Sequence, residues 1–224
     1  MTKIALIPAR GGSKGIPKKN IKEFASKPLI YWSIKIALES KCIDRVIVST
    51  DDKDIADIAI SYSAEVPFIR PKEISLDNSP GIDPVLHALE NLPEISDLLL
   101  LQPTSPIRRL EDIEKIFELR DKFNSGSVVS LTPASKSQNL HFEIDSKYKI
   151  SPISKNYDIK LRQHYKTSHI LNGSLYLSSK ESILKYKSLI TPETLGYIMP
   201  PEYSIDIDSL FDWEIAEYLM SKML

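Results

Sequence analysis

Apolar residues follow two rhythms along this chain. Uninterrupted runs at 4–7, 46–48 and 98–101, and 128–131 with only Ser130 breaking it, read as strands buried on both faces, the habit of a parallel sheet. Between the runs, apolar positions return every three or four residues. Leu29, Ile30, Ile34, Ala37 and Leu38 do so in 28–41, and Ile55, Ile58, Ala59 and Tyr62 follow the turn Ser49-Thr50-Asp51-Asp52. Val85, Leu86 and Leu89 mark 83–91, and Leu110, Ile113, Ile116, Phe117 and Arg120 mark 110–123. This spacing predicts amphipathic helices, the second capped by its preceding turn. Val66-Pro67-Phe68-Ile69 predicts a short extra strand, 178–187 a basic helix and 195–199 another strand, with Ile215, Ala216, Leu219 and Met223 docking a terminal helix. Alternating strand and helix is the βαβ rhythm of an α/β fold with a mostly parallel sheet.

Four segments depart from that rhythm. Residues 141–153 alternate about an Asp-Ser-Lys turn, predicting a hairpin that projects from the sheet. The run H-I-L-N-G-S-L-Y-L at 169–177 is a strand interrupted by Asn172-Gly173. Its flanks fit one continuing strand, with the glycine at a bulge or beside a ligand, better than a two-strand turn. Residues 70–83 are rich in turn formers and read either as a loop bordering a site, starting at Arg70, or as an ordinary surface connection. In Ile205-Asp206-Ile207-Asp208 an extended backbone places both carboxylates on one face and both isoleucines on the core face. Adjacent carboxylates repel unless a cation sits between them, and magnesium suits two carboxylates plus phosphates. The alternative is a solvated strand end whose Asp208 or Ser209 caps the terminal helix.

Composition narrows the class. The 224 residues suit one domain, 1–224, and a formal net charge of −1 from 29 basic and 30 acidic residues gives no global attraction to nucleic acid or membrane. Met1-Thr2-Lys3 leads directly into the first strand and no apolar run approaches the ~20 residues of a membrane span, so a cytoplasmic protein is expected. Cys42, the single cysteine, excludes an internal disulfide and a cysteine-based zinc site; it reads as a packed residue at a helix end. Any positive field must be local, and it is concentrated just after the first strand.

There the strand breaks at Pro8 and A-R-G-G-S-K-G-I-P-K-K-N follows at 9–20, with three glycines and the cations Arg10, Lys14, Lys18 and Lys19. Glycines let backbone amides approach a ligand, and cations beside such an amide concavity suit a polyphosphate. The spacing is neither a Walker A loop nor a G-x-G-x-x-G fingerprint. The third strand run ends in Gln102-Pro103-Thr104-Ser105-Pro106-Ile107-Arg108, where open α/β sheets bind ligands beyond strand carboxyl ends. Gln102 and Thr104 there offer hydrogen bonds to a base or ribose.

The 9–20 segment closely resembles the N-terminal signature of the CMP-sialic acid synthetase (acylneuraminate cytidylyltransferase) family. L-L-L-Q-P-T-S-P-I-R, Asn172-Gly173 and S-I-D-I-D resemble later motifs of the same family, so the likeness spans essentially the whole chain. The resemblance implies a Rossmann-like three-layer nucleotidyltransferase fold, with 138–168 as a dimerisation excursion of a homodimer. It implies transfer of CMP from CTP to a nine-carbon 2-keto acid sugar, with Mg2+ held by Asp206 and Asp208. By the same resemblance Ala9, Arg10, Gly11, Ser13, Lys14, Lys19, Asn20, Arg70 and Gln102 bind nucleotide, and Arg10, Lys19, Asp206 and Asp208 serve catalysis. Gln102, Thr104, Arg162, Asn172 and Gly173 would meet the sugar. Ile170-Leu171 stands where sialic acid members commonly carry an arginine, and no lysine matches near Leu140-His141, which brings legionaminic-type and pseudaminic-type acids into the acceptor class. The alternatives are a Kdo-activating enzyme, whose usual S-T-R-L-P-G-K-type loop differs from S-K-G-I-P-K-K, and an inert nucleotide-binding module.

Overall fold

The computed structural model describes residues 2–13, 15–154 and 167–223. In chain order its strands are β1 (Thr2–Pro8), β2 (Glu23–Phe24), β3 (Lys27–Pro28), β4 (Arg45–Ser49), β5 (Ile95–Leu100), β6 (Ser127–Pro133), β7 (Phe142–Ile144), β8 (Ile150–Pro152), β9 (His169–Ser179) and β10 (Leu195–Ile198). Its helices are α1 (Leu29–Glu39), α2 (Lys53–Ser61), α3 (Asp83–Asn91), α4 (Leu110–Phe123), α5 (Lys180–Tyr186) and α6 (Leu210–Met223). Six strands form one sheet in the order β10-β6-β9-β5-β1-β4. β1 runs parallel to β4 and β5, and β6 parallel to β10, while β9 is antiparallel to both its neighbours.

The uninterrupted apolar runs follow from burial on two faces. Ala5 and Ile7 of β1 join the cluster under α1, α2 and α4, whereas Ile4 and Leu6 face α3 and Ile183 of α5. Fully burying each aliphatic side chain contributes roughly 1.5–3 kcal/mol, so a polar residue on either face of β1 would be costly. A third cluster lies outside this sandwich. Trp213, Ala216 and Met220 of α6 enclose Ile16, Phe24, Leu29, Trp32, Ile107 and Ile207. That cluster draws together three stretches far apart in sequence, namely the glycine-rich loop, the segment after β5 and the Asp206–Asp208 segment.

Two expectations are corrected, for 66–69 and Leu38, and that for 205–208 is refined. Residues 66–69 form no strand; pairing stops at a single bridge between Ile47 and Glu65, whose N–H and carbonyl bond Val46 and Val48, and Pro67 has no N–H to extend a ladder. Residues 205–208 are not a paired strand, although the alternation holds: Ile207 is fully buried, Asp206 and Asp208 are exposed, and the Ile207 N–H donates to the Thr104 carbonyl at 2.8 Å. Leu38 is exposed, because it falls outside the buried face of α1 formed by Leu29, Ile30, Trp32, Ser33, Ile34 and Ala37.

The projecting hairpin is present as β7 and β8, paired with each other and apart from the main sheet. Asp145 organises its turn by accepting from the amides of Lys147 and Lys149. β9 does continue through Asn172-Gly173; Gly173 has φ +72° and the β6–β9 register shifts beside it, as a bulge requires. Asp52 caps α2, its carboxylate accepting from the amides of Asp54 and Ile55. Cys42 is a partly buried free thiol packed against the core just beyond α1.

Candidate active site

The loop after β1 is pinned from several directions. Ala9 is fully buried, its amide bonded to the Ser49 carbonyl. The Gly11 amide donates to Asp51 Oδ1 at 3.1 Å, and a Cβ on Gly11 would lie 2.5 Å from Asp52 Oδ2, so a larger residue would push the loop off α2. A Cβ on Gly15 would lie 2.8 Å from the Asp208 carbonyl; the loop thus touches the acidic segment. Asn20 Nδ2 donates to the Arg10 carbonyl and Lys19 Nζ to the Ile207 carbonyl at 2.7 Å. Lys18, with φ 51°, instead pairs with Asp54 on α2.

These contacts open a cleft of about 560 Å³ beyond the carboxyl ends of β1 and β5. Arg10, Ser13, Lys19, Asn20 and Arg70 line it together with Gln102, Thr104, Asp206 and Asp208. Nine of the residues expected from the sequence therefore meet in one space. Asp77, which sequence reasoning missed, also lines it and pairs with Arg10 at 2.7 Å. Arg70 is buried, donates to Ser75 and approaches Asp51 at 3.8 Å. Burial lowers its pKa, the Asp51 charge opposes that shift and the Arg10 charge adds to it.

Solvent reaches Asp206, yet the surrounding protein still raises its carboxyl pKa by desolvation. The Asp208 charge adds to that rise, while a hydrogen bond with Thr104 and the charges of Lys19 and Arg108 oppose it. A like-charged pair held at the cleft wall fits a divalent cation, which would relieve the repulsion. Among the described residues no three His, Cys, Asp or Glu side chains gather to hold a metal, so a divalent cation held by this pair would need phosphate and water to complete its shell. The capping expectation also holds: Ser209 Oγ accepts from the Asp212 amide, and Asp212 Oδ2 accepts from the amides of Asp208 and Ser209.

Asn172 does not line the cleft. Its Oδ1 accepts from Ser130 Oγ at 2.6 Å and from the Ser174 amide, and its Nδ2 donates to Ser204 Oγ at 2.9 Å. It therefore ties the β9 bulge to β6 and to the turn before Asp206. Gly173 is the member of that pair at the site, where a Cβ would lie 2.9 Å from Gln102 Oε1 and 3.2 Å from Asp206 Oδ2. Lys14 and Arg162 lie outside the described residues. Arg108, quoted in the motif without a role, is buried beneath the Gln102 loop; an arginine in a turn-rich segment carries no signal of burial in the sequence.

Comparison with known proteins is consistent with this geometry. A family model described as cytidylyltransferase matches residues 4–144. The chain is 37% identical to a CMP-N,N'-diacetyllegionaminic acid synthase of Legionella pneumophila subsp. pneumophila, over 97% of this chain and 95% of that one. It is 30% identical to a pseudaminic acid cytidylyltransferase of Campylobacter jejuni, over 98% and 96%. It is 33% identical to an N-acylneuraminate cytidylyltransferase of Escherichia coli, spanning 98% of this chain but about half, 52%, of that protein. Among solved structures, a CMP:2-keto-3-deoxy-manno-octonic acid synthetase complexed with CTP superposes with TM-score 0.76 at 17% identity, each chain covered in full (100%). A 4-diphosphocytidyl-2C-methyl-D-erythritol synthase gives 0.69 at 14% identity, covering 98% and 99%; at such identities the likeness is one of fold.

Proposed function

Because the chain belongs to the cytidylyltransferase family, we propose that it transfers CMP from CTP to the anomeric hydroxyl of a nine-carbon 2-keto acid sugar of sialic, legionaminic or pseudaminic type, releasing pyrophosphate. The observation that carries this reading is the meeting of the basic loop, the Gln102 loop and the Asp206–Asp208 segment around one cleft of about 560 Å³. Nucleotidyl transfer needs charge neutralisation and alignment more than covalent help, and those three segments offer both.

In this reading Arg10 and Lys19, with Lys14 of the same loop, hold the triphosphate, and Arg10 exchanges Asp77 for phosphate as CTP enters. Asn20 keeps the Arg10 carbonyl in place, Arg70 adds buried positive charge behind it, and Gln102 faces the nucleotide. Thr104 and the backbone at Gly173, where no side chain fits beside Gln102 and Asp206, meet the sugar, whose carboxylate meets Arg162. Asp206 and Asp208 would hold magnesium, which when bound screens the attacked α-phosphate and the departing pyrophosphate. The protein works in the cytoplasm as a homodimer built through the β7–β8 hairpin.

Pyrophosphate release from CTP and magnesium, assayed with N-acetylneuraminic, legionaminic-type, pseudaminic-type and Kdo acceptors, tests the reading. Release with one or more nine-carbon acids is expected. Release with Kdo alone would move the acceptor to eight carbons. No release with any acceptor, despite CTP binding, would leave an inert nucleotide-binding module. The short Gln-Pro-Thr-Ser-Pro loop leaves room for a small base, so ATP should not replace CTP.

A further inference from the structure

Arg108 sits beneath the cleft floor rather than in it. Its Nε donates to the Ser174 carbonyl at 3.1 Å, its Nη1 to Ser33 Oγ at 2.9 Å and its Nη2 to the Gln102 carbonyl. All three acceptors are neutral, and among the described residues no carboxylate forms an ion pair with it. A buried cation without a partner is costly, and burial accordingly pulls the guanidinium pKa down to about 9, against the Asp206 charge. It stays charged at neutral pH. Meanwhile, among the described residues, the cations exposed in the cleft are already engaged, Arg10 with Asp77 and Lys19 with the Ile207 carbonyl.

We propose that Arg108 is a fixed positive charge beneath the cleft floor whose counter-charge is the anionic substrate, so that it tightens nucleoside triphosphate binding without touching the ligand. The inference rests on reading the cleft as the CTP site. A charge held by neutral acceptors in a poorly screened interior acts over several ångströms. Its two carbonyl partners flank the floor, since Gln102 and Gly173, next to Ser174, face each other there. The field of Arg108 therefore adds positive potential to the cleft, opposed there by the Asp206 charge.

The test compares a charged with an uncharged ligand of the same base. CTP without metal and cytidine are titrated by ligand-observed NMR into wild type, Arg108→Gln and Arg108→Lys, with thermal melting of each. Glutamine keeps one donor for a carbonyl but removes the charge; lysine keeps the charge but not the fork. Arg108→Gln should weaken CTP about tenfold and cytidine less than twofold, whereas Arg108→Lys should keep the CTP-to-cytidine ratio within about threefold of wild type. Equal losses of CTP and cytidine in Arg108→Gln would assign the residue a structural role only and overturn the proposal. Should Arg108→Gln not fold, Arg108→Met, which also removes the charge, takes its place with the same two outcomes, and a tenfold fall of the ratio in Arg108→Lys overturns the proposal in either case. Wild type binding neither ligand would remove the nucleotide site itself, and this inference with it.

Discussion

Asp206 and Asp208 both line the cleft, and desolvation first, with the Asp208 charge after it, raises the Asp206 pKa against Thr104, Lys19 and Arg108. Replacing either by Asn keeps size and hydrogen bonding and removes one charge. If the pair holds a cation that acts mainly in the transition state, kcat should fall ~10²-fold, roughly 2.7 kcal/mol of barrier. The melting temperature of the metal-free Asp206→Asn protein should hold or rise, because an acid whose folded pKa is raised costs stability once pH exceeds that value. Turnover across a magnesium titration and thermal melting read both; near-normal turnover in both variants would reduce the pair to a capped chain end. Asp77 competes with phosphate for Arg10, so Asp77→Asn should tighten metal-free CTP binding two- to threefold, the scale of a half-exposed ion pair; weaker binding in calorimetry would place Asp77 on the ligand instead. The acid pair was legible because alternation is a local property of four residues. Asn172 was not, since its work is done on Ser130 and Ser204, 42 and 32 residues away, and Arg108 likewise reaches Ser33 across 75 residues.

At the scale of elements, α6 matters because its apolar face holds Ile207 and, across it, Ile16 of the glycine-rich loop. Its start is fixed by Ser209 and Asp212, which exchange hydrogen bonds in the manner of a capping box. The hydroxyl and amide of Ser209 hold the Asp212 carboxyl below its usual pKa. Its contribution is therefore present above the ordinary carboxylate range and is lost as pH falls through the depressed value. Asp212→Ala should cost about 1 kcal/mol at neutral pH, as other cap losses do, and the gap from wild type should close in acid; a gap independent of pH in urea melts would show that packing, not the cap, was lost. Helices and buried strands were readable because each carries its own period. The failed strand at 66–69 had the right composition, but Pro67 cannot donate to a ladder and Ile69 is exposed. The β2–β3 turn was silent for a different reason: Ala25 and Ser26 occupy positive φ, positions that usually announce themselves with Asn or Gly.

On the scale of the molecule, neither the reversed direction of β9 nor its insertion between β5 and β6 was legible, because strand order is decided by long-range pairing and leaves no period in the chain. That insertion carries Gly173 beneath Gln102, so the least readable feature of the fold builds the cleft floor. It also leaves the first part of β9 beyond the core, with Ile170 and Leu171 exposed at 53% and 46%. The β7–β8 hairpin adds Ile144 and Ile150, a cross-strand pair exposed at 64% and 65%, and Ile153 at 53%. Scattered exposed apolar residues need no explanation, but a group on two consecutive stretches of chain does. A second copy covering both is the occupant that the homodimer reading requires, and a stable interface would bury about 800 Å² on each partner. Light scattering at micromolar concentration should then give a mass near twice the 25.4 kDa of the chain. Ile144→Lys with Ile150→Lys should return it to 25.4 kDa while metal-free CTP binding persists, because neither β7 nor β8 lines the cleft among the described residues. A wild-type monomer would discard the dimer. A double variant that remains dimeric would move the interface off the hairpin, and one that loses CTP binding along with its mass would mean that the nucleotide site, not just the sugar end, depends on the neighbouring subunit.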